Sequence, residues 1–215
     1  MRGRGEYVEA LAELRAGHEL GSKQPGWRYP SSEWVRECER LVALDARLPA
    51  ILKGDDKPKD AAEGVDLAIC AYLTQQFGLS ARLYTESFRS ESKLAEDTRA
   101  GHRYNAVCAA ALAGAGKAND KPPLAEKDKA YWRKQALDWL KADLASWTRQ
   151  AETGKPEAKA LVSQILQHWK ADADLAGIRD EAAVKALPEE ERKACRELWA
   201  EVDALLAKAR AGTAP

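Results

Sequence analysis

Apolar side chains recur three or four positions apart along most of this 215-residue chain. The segments 10–14, 80–84 and 136–140 share one version of the pattern, in which a small residue and an apolar residue precede a large side chain. Such spacing places the apolar residues on one face of an α-helix. No segment shows the sustained apolar/polar alternation with β-branched residues that marks a half-buried strand. The sequence therefore predicts an all-α fold without a β-sheet.

Glycine, proline and polar residues separate the predicted helices. Ser31 or Ser32 is expected to cap one helix, and Phe77 with Gly78 is expected to interrupt another. Four regions follow from these signals: 1–20, the second helix of a truncated helix pair; 21–60, a loop plus a linking helix; 61–152, two helix pairs with a mobile insertion at about 114–125; and 153–215, the capping helices at the C-terminus.

Two predicted helices share a short repeated segment. Residues 67–71 and 105–109 place alanine and cysteine at equivalent positions, and Cys70 and Cys108 lie 38 positions apart. This distance is close to the roughly 34-residue period of tetratricopeptide (TPR) repeats. Small residues let neighbouring pairs stack closely, because one helix pair cannot bury its apolar face alone. The pattern indicates degenerate TPR-like antiparallel helix pairs forming an α-α superhelix.

Several stretches, taken in order, make the similarity more specific; they are 9–15, 17–30, 101–106, 108–116, 135–140, 168–169 and 174–180. Together they resemble the C-terminal TPR region of planctomycete-type serine/threonine protein kinases, over nearly the whole chain. The resemblance implies a bacterial TPR protein that binds a protein or peptide partner. The sequence contains no Gly-rich phosphate loop, His-Arg-Asp loop or Asp-Phe-Gly segment. We therefore expect no kinase activity and no enzyme in this chain.

Charge and hydropathy narrow the class of partner. The 34 basic residues equal the 34 acidic residues, so the formal net charge is zero, whereas a nucleic-acid binder normally shows a basic excess or a basic face. No apolar run approaches the length of a membrane span, and no signal peptide is recognisable. The expectation is a cytoplasmic protein that binds neither nucleic acid nor membrane.

The cysteines, histidines and acidic turns suggest no cofactor and no metal. The four cysteines lie among apolar residues without a CxxC spacing, which is typical of reduced thiols in a core. His18, His102 and His168 have no ligand partners at short spacing. Asp172 and Asp174 form an acidic pair that we expect to be a solvated turn, since a calcium loop needs more oxygen ligands.

The candidate partner-binding residues are Asn105, His102 and Arg103. The resemblance places Asn105 where TPR repeats often hold the backbone or terminal carboxylate of a partner, and Arg103 would add a charge-assisted bond. The alternative is that Asn105 bonds locally or to water.

Three functions are compatible with the sequence. The first is a non-catalytic interaction scaffold, and the second is a regulatory or accessory segment of a kinase polypeptide. The third is a small-molecule enzyme with a site among Trp27, Trp34 and His102. In addition, Tyr7, Leu11 and Leu14 are expected to form an exposed apolar edge that needs a partner.

Overall fold

The computed structural model describes residues 6–211, which contain helices and no strand. The all-α prediction is therefore confirmed for this part of the chain. The helices are α1 Glu6–Gly21, α2 Ser31–Lys53, α3 Ala61–Leu73, α4 Phe77–Ser90, α5 Lys93–Glu96, α6 His102–Gly114, α7 Glu126–Glu152, α8 Pro156–Ala171, α9 Ala176–Arg179, α10 Glu181–Lys185 and α11 Glu189–Ala211, with a short 3₁₀ helix, Ala173–Leu175, between α8 and α9.

Each long helix packs mainly against its neighbours along the chain. Successive contacts join α1 with α2, α2 with α3, α3 with α4, α4 with α6, and α6 with α7. The helices α8 and α11 pack on each other and on α7. The most extensive contacts join α3 with α4 and α6 with α7. Within residues 6–211 no helix has both the length and the apolar stretch needed to cross a bilayer.

The core forms where alanine on one helix meets indole on the next. The buried side of α6 is largely alanine, and α7 brings Trp132 and Trp147 against it. Small side chains let the two helices approach closely, and the large rings fill the wider gaps. A second cluster, from α2, α3 and α4, meets the first around Trp139, whose ring lies 5.9 Å from that of Phe88.

Two predicted helix ends differ from the structure. The residue before α2 is Pro30, and no side chain within residues 6–211 caps this helix. The cap prediction for Ser31 or Ser32 is therefore wrong. The Ser31 hydroxyl instead bonds to the side chains of His18 and Trp27. The fourth helix begins at Phe77 rather than after Gly78.

The predicted insertion supplies the cap that starts α4. The Asp120 carboxylate accepts hydrogen bonds from the backbone N–H groups of Gly78 and Leu79, both at 2.9 Å. A carboxylate at this end also complements the positive end of the helix dipole. Asp120 is buried, so the segment that we expected to be mobile is docked on the helical stack.

Candidate functional site

An open cleft of about 390 Å³ lies where α3, α6 and the C-terminal end of α8 meet. Its apolar and aromatic walls come mainly from α3, α4 and α6, and its acidic side comes from the turn that follows α8. The residues that line it are Ile69, Tyr72, Tyr84, Tyr104, Asn105, Cys108, His168, Asp172 and Asp174.

Two tyrosines hold the two carboxylates of the cleft. The Tyr104 hydroxyl donates to Asp172 Oδ2 at 2.6 Å, and the Tyr72 hydroxyl donates to Asp174 Oδ2. Asp172 Oδ1 accepts the backbone N–H of Asp174 at 3.0 Å and so caps the 3₁₀ helix. The positions of both carboxylates are therefore fixed by side chains from α3 and α6 and by the turn itself.

The protonation states of the cleft follow from burial and from these carboxylates. Burial raises the pKa of Tyr72 and Tyr104 well above the usual value, and the neighbouring aspartates add to the rise. Burial likewise raises the pKa of the Cys108 thiol, with Asp172 as the next cause. At neutral pH the three groups keep their protons, so they act as neutral donors beside the carboxylates.

Tyr84 contributes a buried hydroxyl without a hydrogen bond. The residue is only 1% exposed, yet it lines the cleft. Its hydroxyl makes no hydrogen bond within the described residues 6–211. Burial raises its pKa, and the nearby Asn105 amide opposes part of that rise without reaching hydrogen-bond geometry. A buried polar group without a partner is costly, so a ligand that donates to this hydroxyl would stabilise it.

Of the three residues predicted to bind a partner, only Asn105 lines the cleft. Its side chain is exposed at the cleft. Arg103 points away from it: Arg103 Nε lies 2.7 Å from Asp143 Oδ1, and both side chains are largely buried. Arg103 thus lines a separate cavity of about 220 Å³. His102 lines neither space, and its Nδ1 is buried without a hydrogen bond among residues 6–211.

The aspartate pair was misjudged from the sequence. Asp172 and Asp174 are half-buried and hydrogen-bonded across the cleft, so the prediction of a solvated turn is wrong. Their partners lie 68 and 102 positions away, and no local pattern relates residues that far apart. A usable signal was the i, i+2 acid spacing directly after the amphipathic helix that ends near Trp169.

One group in the cleft has the donor atoms of a cation site. The thiol of Cys108 and the carboxylates of Asp172 and Asp174 lie within 4.8 Å of one another. The Nε2 atom of His168 is 3.4 Å from Asp172 Oδ2. Sulfur, carboxylate oxygen and imidazole nitrogen are all ligands that Zn²⁺ accepts, although the thiol would have to lose the proton that burial now favours.

A second, larger groove of about 800 Å³ lies between α1 and α2 along their open side. Within it His18 Nδ1 lies 2.7 Å from Ser31 Oγ, and Trp27 Nε1 donates to the same oxygen at 3.1 Å. These bonds hold the loop that precedes α2 against α1. Trp34 lines the groove but His102 does not, so the predicted enzyme site among the two tryptophans and His102 is not assembled.

The apolar edge predicted on α1 is mostly covered. Tyr7 is 4% exposed and Leu11 is 8% exposed, because α1 packs on α2. The Cys38 thiol of α2 donates to the Tyr7 carbonyl oxygen at 3.5 Å. Only Leu14 of the three remains half-exposed, so the expectation of an exposed edge is wrong for Tyr7 and Leu11.

No family model, no curated protein and no solved structure matches this chain. The resemblance to the TPR region of planctomycete-type kinases, and the TPR type of the helix pairing, therefore stay predictions.

Proposed function

We propose that this chain is a non-catalytic protein-interaction scaffold that binds a protein or peptide partner through the cleft between α3, α6 and the end of α8. The observation that carries the proposal is the convergence of three tyrosines, an exposed amide and two fixed carboxylates on one open cleft. Aromatic walls with a few oriented polar groups are typical of binding sites. Asn105 is the exposed amide, available to a partner's backbone.

The protonation states favour binding over covalent chemistry. A cysteine nucleophile needs a lowered pKa, whereas burial raises the pKa of Cys108. The tyrosine hydroxyls of the cleft are likewise held in the neutral form. A site of neutral hydrogen-bond donors and carboxylates held in fixed positions is suited to binding a ligand.

A regulatory or accessory segment of a kinase polypeptide is the alternative. The resemblance favours it; the stretches that carry the resemblance are 9–15, 17–30, 101–106, 108–116, 135–140, 168–169 and 174–180. The genomic reading frame upstream of Met1 distinguishes the two: an in-frame kinase domain supports the accessory role, and its absence leaves the scaffold alone. In both cases the cleft is the surface that contacts the partner, and a cytoplasmic setting is proposed.

A display selection tests the scaffold directly. A random peptide library is selected against the full chain, and the enriched peptides are titrated against Asn105→Arg and against Gln164→Arg. Gln164 is an exposed amide on α8 that does not line the cleft, so it is the matched control. We expect saturable binding that weakens at least tenfold in Asn105→Arg and is unchanged in Gln164→Arg. Failure to enrich any peptide, or equal binding by both variants, would contradict the proposal.

A further inference from the structure

We infer that the cleft recognises a primary ammonium group, presented by a lysine side chain or a free N-terminus of the partner. This inference rests on the proposed function and adds the chemistry of the group that the cleft selects.

The first reason is the negative charge of the residues that line the cleft. Two carboxylates line the cleft, and no lysine or arginine of residues 6–211 lines it. The Asp172 side chain is only 15% exposed, and His168, the basic residue beside it, is 60% exposed. Carboxylates that are partly withdrawn from water interact more strongly with a cation than exposed ones do. A ligand that brings one positive charge therefore gains more here than on the open surface.

The second reason is the supply of acceptors. An ammonium group has three N–H donors and no acceptor. The cleft offers it the carboxylate oxygens of Asp172 and Asp174, the carbonyl oxygen of Asn105 and the free hydroxyl oxygen of Tyr84. The tyrosine rings of the walls add the attraction between a cation and an aromatic face.

The third reason excludes an anionic group. The resemblance implied that Asn105 holds the backbone or the terminal carboxylate of a partner and that Arg103 adds a charge-assisted bond. Arg103 is instead paired with Asp143 outside the cleft, and the acids that surround Asn105 would repel a carboxylate. The charge of the site thus selects the opposite end of a peptide, or a basic side chain.

A bare metal ion fits less well than an ammonium group. The cleft, at about 390 Å³, is far larger than one ion needs. The Oδ2 atoms of Asp172 and Asp174 already accept hydrogen bonds from tyrosine hydroxyl groups. Both oxygens remain negatively charged hydrogen-bond acceptors. The hydroxyl groups, however, occupy positions that a metal ion would need for coordination.

The test is an NMR titration of the full ¹⁵N-labelled chain with N-acetyl-lysine methylamide. N-acetyl-norleucine methylamide, which has a four-carbon side chain without the ammonium group, is the matched ligand control. We expect saturable shifts of the backbone amides of Asn105, Cys108, Asp172 and Asp174 with the lysine probe only. Equal shifts with the norleucine probe, or no shift with lysine, would overturn the inference.

Variants separate charge from shape. Asp172→Asn with Asp174→Asn removes both charges but keeps acceptors for the tyrosine hydroxyls, and asparagine retains the cap of the 3₁₀ helix. The lysine affinity should fall at least tenfold in this double variant. Asp138→Asn, on an exposed position of α7, should leave it unchanged. A uniform loss in all variants, or none in the double variant, contradicts the ammonium site.

Zinc chloride provides the third arm. If Zn²⁺ alone shifts the cleft amides, Cys108→Ser abolishes those shifts and the lysine probe gives none, the site is a metal site and the ammonium inference fails. The display selection separates this failure from that of the scaffold. Selected peptides whose binding depends on Asn105, but which carry neither lysine nor a free amine, would contradict the ammonium inference alone. Binding of the lysine probe without enrichment of any peptide would contradict the scaffold proposal alone.

Discussion

The Tyr104 hydroxyl lies 2.6 Å from Asp172 Oδ2 and joins α6 to the turn after α8 across 68 positions of sequence. The Tyr104 ring is also stacked on Trp169, with ring centroids 5.8 Å apart and planes 6° from parallel. One residue thus connects the buried core behind the cleft to the carboxylate inside it. The shape of the cleft depends on this connection, because Asp172 also caps the 3₁₀ helix that carries Asp174.

Replacing this hydroxyl should be measurable in stability. Tyr104→Phe keeps the ring and its stacking but removes the hydroxyl that donates to Asp172 Oδ2. A hydrogen bond to a charged group contributes about 1.5–3 kcal/mol, so we expect the free energy of unfolding to fall by about 2 kcal/mol in urea denaturation. Tyr131→Phe, at an exposed tyrosine of α7, is the control and should change little. Equal stability of the two variants would show that the bond does not hold the cleft.

The buried cap from Asp120 gives a second prediction. Asp120→Ala leaves two backbone N–H groups at the start of α4 without their acceptor. Loss of an N-terminal cap costs about 0.5–2 kcal/mol, and the burial of this one favours the upper end. Asp120→Asn retains an acceptor and should lose less than half as much. Urea denaturation compares the three proteins, and an asparagine variant as unstable as the alanine variant would contradict the capping role.

Helical spacing was informative for the fold and uninformative for the cleft. The 3.6-residue period and the glycine and proline breaks placed the long helices, because each signal lies within one helix. The cleft depends on Tyr72 and Tyr104 reaching Asp174 and Asp172, which are brought together by the stacking of separate hairpins. Asn105 was identified through a resemblance. The ion pair of Arg103 with Asp143 spans 40 positions, so no local sequence pattern predicts it.

The alkaline stability of the protein should depend on its buried thiols. Burial, with Glu191 as the next cause, raises the pKa of Cys195 from 9.0 to about 11. The unfolded chain therefore loses this proton before the folded chain does, and stability present below pH 9 is lost as pH rises toward 11. Each pKa difference of one unit corresponds to about 1.4 kcal/mol, so roughly 2 kcal/mol should be lost by pH 10.5.

Cys195→Ala isolates this contribution. The wild type and the variant are unfolded in urea at pH 8, 9, 10 and 10.5, and their difference in unfolding free energy is plotted against pH. The variant should lose stability less steeply, by roughly 2 kcal/mol over this range. Parallel curves would mean that the thiol ionises equally in the folded and unfolded chains, contrary to its burial of all but 1% of its surface.

The contact between α3 and α4 allows a test with two substitutions, one at Gly64 and one at Ser87. A Cβ atom on Gly64 would come within 2.3 Å of the Ser87 hydroxyl oxygen, while the Ser87 Cβ would stay 3.6 Å away. Ser87 is buried, so Gly64→Ala overpacks the interface and should cost about 1–3 kcal/mol. In the Ser87→Ala background the obstructing oxygen is gone.

In the Ser87→Ala background, Gly64→Ala should become stabilising by about 0.5–1 kcal/mol, because alanine is a better helix former than glycine. The four proteins of this double-mutant cycle are compared by urea denaturation. The double variant should be more stable than the sum of the two single effects predicts, by about 1.5–4 kcal/mol. A Gly64→Ala effect that is the same in both backgrounds would mean that α3 and α4 are not held at this distance. Because α4 also carries Tyr84 into the cleft, that result would also mean that Tyr84 is not held in a fixed position in the proposed binding site.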